Sequence, residues 1–121
     1  MSVFVYDYDH NAPSIQHYID THKPFFDRIR AAHPDVPIII MTRPSEVYVD
    51  YMKKHREIAL ETYNSAVAAG DKNVYFIDGE QFYGDDNRNM CSMDDCHPND
   101  LGFYRMASVI RPVLEEILNN L

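Results

Sequence analysis

Asp94 stands three residues before His97, and Pro98, Asn99, Asp100 and Gly102 follow at once. A loop can close that Asp-x-x-His spacing into a carboxylate–imidazole hydrogen bond, which fixes the tautomer and makes the far ring nitrogen more basic. The chemistry this suggests is a general base acting on a nucleophile. The alternative is a loop histidine beside a helix start. Three further polar groups follow apolar runs: Asp7 to Asn11, Thr42-Arg43, and Asp78. Asp9 and His10 there can shape or charge a pocket floor. Arg43 can contact an anionic substrate group or brace Asp7 and Asp9. Cys91 and Cys96 lie five apart, as two free thiols or as a small disulfide pinning the loop of His97. Their spacing does not fit a paired-cysteine zinc site, and no metal site is assigned.

The elements that must position these residues alternate. Val3 to Tyr6 reads as a strand buried on both faces. Ser14 caps a short helix, and Pro24 opens a second one running to about Ala32. Val36 to Met41 is the clearest strand. Ser45 is the expected N-cap of a long helix, with Tyr48, Tyr51, Met52, His55, Ile58, Ala59, Thr62, Tyr63 and Ala66 on its apolar stripe and Gly70 at its stop. His55 on that stripe reads as structural. Val74 to Ile77 is the third strand, and a polar loop runs from Glu80 to Asp100. The last helix starts near Asn99, with Phe103, Met106, Ala107, Ile110, Leu114, Ile117, Leu118 and Leu121 as its buried face. Pro112 should kink or split it. The order β-α-β-α-β-α predicts one α/β domain over 1–121, with a parallel sheet, right-handed crossovers and helices on both faces. Three strands are few, and each is apolar enough to be central although two must be edges. The conflict leads us to expect that strands are missing, or that another chain supplies them.

The totals narrow the function. A net charge of −8 without a basic cluster argues against a nucleic-acid partner. No apolar run approaches the ~20 residues of a membrane helix. The first residues do not read as a signal peptide, which taken alone points to a cytoplasmic address; a longer parent could be secreted or periplasmic.

Asp94-x-x-His97-Pro98-Asn99-x-x-Gly102 resembles the last block of the GDSL-like (SGNH) hydrolases. The resemblance implies that Asp94 and His97 complete a Ser-His-Asp triad. It also implies that Asn11, past the first strand, is the oxyanion-hole donor, although Asp7-Tyr8-Asp9-His10-Asn11 departs from the usual Gly-x-Asn-Asp form. By this likeness the chain is the second half of a three-layer, flavodoxin-like fold with about three strands, and needs no cofactor. The substrate implied is a small-molecule or carbohydrate acyl ester. The Gly-Asp-Ser nucleophile block and the glycine block have no match, so the chain alone is expected to be inactive. A bare edge on strand 3–6 predicts a homo-oligomer.

Two other classes compete. Val3 to Asp9 superficially resembles the strand-Asp-x-Asp motif of haloacid-dehalogenase-type, Mg²⁺-dependent phosphatases, with Asn11 in place of the usual Thr or Val. A non-catalytic remnant or interaction domain would use the same fold without turnover.

Overall fold

A computed structural model describes residues 1–121. The chain forms two compact units, Met1–Thr42 with Val49–Ile77, and Arg43–Tyr48 with Asp78–Leu121.

The first unit is a parallel sheet with two crossover helices. Its elements are β1 (Phe4–Asp7), α1 (Ile15–Ala32), β2 (Ile38–Met41), α2 (Asp50–Ala68) and β3 (Val74–Ile77). The sheet order is β1-β2-β3, with Phe4 beside Ile38 and Ile38 beside Val74. That register puts Phe4 and Tyr6, Ile38 and Ile40, and Val74 and Phe76 on one face. The core forms over this face, where Tyr18 and Phe26 of α1 and Ala59 and Ala66 of α2 join them. β2 is buried throughout, as its Ile-Ile-Ile run requires of a middle strand. β1 is not buried on both faces as expected. It is an edge strand in this sheet, and Val5 is 43% exposed.

The two short helices expected before β2 are a single helix, α1, with Pro24 inside it. Pro24 lies on the exposed side, and the carbonyl it leaves without a partner belongs to exposed Asp20, where water can satisfy it. Tyr18, His22 and Phe26 hold the opposite face in the core on both sides of the proline. α2 begins at Asp50 after Val49, so Ser45 is not its cap and Tyr48 is outside it. Ser45 Oγ is occupied by the Val47 backbone, to which it lies at 2.8 Å and 3.2 Å. The end of α2 matches expectation. Gly70 (φ +89°) donates its N–H to the Val67 carbonyl, and Asp71 donates to that of Ala66.

An aromatic column crosses this core. The Tyr6 ring stacks on His22 at 4.5 Å, and Tyr18 contacts His22 and His55 at 4.6 Å each. His22 is fully buried, with Nδ1 2.8 Å from Thr62 Oγ1. Thr62 donates to the Ile58 carbonyl, so Nδ1 carries the hydrogen and Nε2 is a bare acceptor without a partner. Burial pushes the His22 pKa down from 6.5 to about 4. The unfolded chain therefore binds the proton first, and stability is lost as pH falls from about 6.5 toward about 4, by up to ~3 kcal/mol. Urea midpoints taken across this window should fall less steeply in His22→Gln than in the parent; equal slopes would count against the assignment.

The second unit carries α3 (Asp100–Asn119). Pro112 does not split α3, because it too sits on an exposed side above exposed Ser108. The buried face predicted for α3 is mostly not buried: Phe103 is 59% and Leu118 54% exposed, while Gly102 and Ile117 are buried. No helix of the chain is long and apolar enough to cross a membrane.

Candidate active site

The turn that holds Asp94 and His97 is built by side chains bonding to nearby backbone. Asp94 uses its two carboxylate oxygens differently. Oδ1 accepts the N–H groups of Cys96 (3.0 Å) and His97 (2.7 Å), closing the turn. Oδ2 lies 2.7 Å from His97 Nδ1. Because an ionised carboxylate only accepts, Nδ1 carries the hydrogen and Nε2 carries the lone pair of the ring. The hydrogen bond from the His97 ring, then those from the His97 and Cys96 backbone, lower the Asp94 pKa to about 2. The acid is thus charged at every pH where a histidine base works. The His97 side chain is 78% exposed, so the pair lies at the surface of its unit.

The turn is fastened to the 43–48 segment of the same unit. Asp95 adopts a left-handed conformation (φ 57°), and its Oδ1 accepts the Glu46 N–H at 3.1 Å. Ser92 Oγ accepts the Asp95 N–H at 2.9 Å and donates to Glu46 Oε1 at 2.5 Å. Arg88 donates to the Ser45 and Gly84 carbonyls. Pro98 then leads into α3, which Asn99 caps: Oδ1 accepts from Gly102 N–H at 3.1 Å, and Nδ2 donates to the Met90 carbonyl at 2.8 Å. The Asn and Gly of the motif therefore set the helix that ends the turn.

Asp9, His10 and Asn11 form a single 3₁₀ turn after β1. Asn11 is exposed, and its N–H donates to the Tyr8 carbonyl at 3.0 Å. His10 is half-buried. Asp9, expected at a pocket floor, is only 1% exposed and lies 2.8 Å from His55 Nδ1. This geometry gives it an anchoring task, tying the turn of Asn11 to α2. It also engages the second acid of the Asp7-x-Asp9 pair that the phosphatase comparison rests on. Arg43 is buried in the other unit, its carbonyl accepting the Tyr48 hydroxyl. Cys91 and Cys96 are both thiols, Cys91 buried and Cys96 half-buried.

The Asp9–His55 pair and the Glu46–Ser92–Asp95 brace were missed in the sequence. For His55 a signal existed: a histidine on a buried stripe needs a polar partner, and acids at strand ends are the available ones. The brace joins residues 46 apart and leaves no pattern.

The chain therefore has a parallel α/β sheet in one unit and, in the other, a turn presenting a carboxylate-held imidazole. The chain belongs to the GDSL-like Lipase/Acylhydrolase family, whose model matches residues 1–115. A crystal structure from Bacteroides ovatus assigned to the GDSL-like lipases is 32% identical with a TM-score of 0.81, covering 98% of this chain and 36% of that one. A family two carbohydrate esterase from Clostridium thermocellum, solved with cellohexaose, shares the fold at 20% identity and a TM-score of 0.78, covering 99% of this chain and 37% of that one. The salicylyl-acyltransferase SsfX3 of a tetracycline biosynthetic pathway also shares the fold, at 18% identity and a TM-score of 0.73, covering 96% of this chain and 38% of that one. The chain thus spans little more than a third of the length of these structures. No curated protein sequence matches it significantly.

Proposed function

We propose that this chain carries the histidine, the orienting acid and one oxyanion donor of an acyl ester hydrolase whose nucleophilic serine lies outside residues 1–121. The observation that carries this reading is the 2.7 Å Asp94–His97 contact, with Asp94 clamped by two backbone N–H groups. His97 Nε2 takes the serine proton as oxygen attacks the acyl carbon, then returns it to the leaving alcohol. Asp94 stabilises the imidazolium, and the Asn11 amide donates to the oxyanion. An acyl ester is the substrate class that family membership supports. A carbohydrate-borne ester is the narrower form, to be compared with a simple aryl ester.

The serines within the chain have other tasks. Ser14 Oγ accepts the His17 N–H as the cap of α1, Ser45 is held by Val47, Ser92 by Glu46, and Ser108 by the Tyr104 carbonyl. Ser65 is inside α2 and Ser2 precedes β1. β1 pairs in the sheet with β2 alone, and its other edge is where a second copy would add a strand.

The purified chain is expected to give no multiple-turnover hydrolysis of p-nitrophenyl acetate, because a triad without its serine loses several orders of magnitude in rate. Turnover that His97→Ala removes would overturn the missing-nucleophile reading. In a longer polypeptide holding this chain and a Gly-Asp-Ser block, Asn11→Ala should lower kcat by about 10²-fold or more. Light scattering on the same purified sample tests association, and a monomer at high concentration would exclude it.

A further inference from the structure

The Asp94 turn orients more than the imidazole. Its Oδ1 accepts the N–H of Cys96 as well as that of His97, so one carboxylate fixes the backbone at both side chains. Cys96 Sγ lies 4.0 Å from His97 Nε2, the upper limit for a hydrogen bond to sulfur. The Nδ1 hydrogen is committed to Asp94 Oδ2 at 2.7 Å, so Nε2 meets the thiol as an acceptor. Thiol, base and orienting acid stand in series within four residues, and the left-handed Asp95, anchored on Glu46, holds the turn in that shape. Cys96 is partly open to solvent, whereas Cys91 is fully buried with Sγ 3.9 Å from the Tyr83 carbonyl.

We infer that Cys96 is a modification site for small disulfides, with His97 as the base that takes the thiol proton and Asp94 holding the base in place. The proton passes from Cys96 Sγ to His97 Nε2, and the sulfur attacks one sulfur of the disulfide. The new S–S bond forms as the reagent's S–S bond breaks. The departing thiolate takes the proton from His97 and leaves as a thiol. The protein thiol is oxidised and half of the reagent reduced, so no other redox partner is needed. The adduct then sits against Nε2, the atom that the proposed ester chemistry uses. That consequence rests on the proposed function, while the thiol reactivity does not.

The test uses the intact chain and the aromatic disulfide 5,5′-dithiobis(2-nitrobenzoate), followed by stopped flow. One thiol should react in a fast phase that Cys96→Ser removes. His97→Gln, at a side chain that is 78% exposed, should slow this phase about tenfold or more near neutral pH and change the shape of its pH profile. Asp94→Asn should slow it to a lesser extent. A fast phase that persists in Cys96→Ser, or an unchanged rate and pH profile in His97→Gln, would overturn the inference. Neither outcome bears on ester hydrolysis, so the two proposals fail separately.

Discussion

Gly102→Ala is expected to lower the stability of the chain by about 3 kcal/mol, at the upper end of what overpacking produces. An added Cβ would meet the Cys91 carbonyl oxygen far inside contact distance and would lie 3.0 Å from Pro98 Cβ. Neither neighbour can step aside at low cost. The Cys91 carbonyl accepts the Asn99 N–H at 2.9 Å, and Asn99 is the cap of α3. Relief of the clash therefore moves the cap, the end of the Asp94 turn, or both. Gly70→Ala is the natural comparison. It keeps the strain of a φ of +89° but meets open space, so about 1 kcal/mol is expected. Urea midpoints by circular dichroism should rank Gly102→Ala well below Gly70→Ala, and the reverse order would show that the close approach is not the constraint.

Asp9→Ala and His55→Ala are each expected to destabilise by about 3 to 5 kcal/mol, the range for breaking a buried pair from one side. Both side chains are almost wholly buried, 1% and 3% exposed, and meet at 2.8 Å. Removing one leaves the other in a low-dielectric site lined by the Tyr18 ring. Both single variants lose the same 2.8 Å contact, so the double variant should cost clearly less than the sum of the two. A double-mutant cycle reads this directly as a large coupling. Additive losses, or an Asp9→Ala variant within about 1 kcal/mol of the parent, would mean that the pair does not anchor the turn.

Much of this was legible because local pattern and tertiary role agree. Ile38-Ile39-Ile40 can only be a middle strand, and it is one. Gly70 ends α2 where the apolar stripe stops. Asp94 and His97 were legible because their bond closes within one turn. The failures lie where context overrides pattern. Pro24 and Pro112 read as breaks, yet each lies on an exposed side, where water can replace the missing hydrogen bond. Ser45 reads as a cap, but its hydroxyl has a nearer partner two residues on. α3 has the periodicity of a buried helix and is mostly exposed on that face, since periodicity reports an apolar stripe and not what lies against it. Asp9 reads as a pocket-floor acid, and its contact with His55, 46 residues away, is not a local one.

The divided carboxylate of Asp94 has an evolutionary consequence. One oxygen builds the turn and the other serves the imidazole. A lineage that gave up ester chemistry would still need the first oxygen to fold this loop, and so would keep the acid. Purifying selection on shape alone would preserve half of the pair proposed to act in catalysis. Persistence of this aspartate in descendants would then record architecture, and under the proposed function only the fate of His97 would separate a working lineage from a silent one.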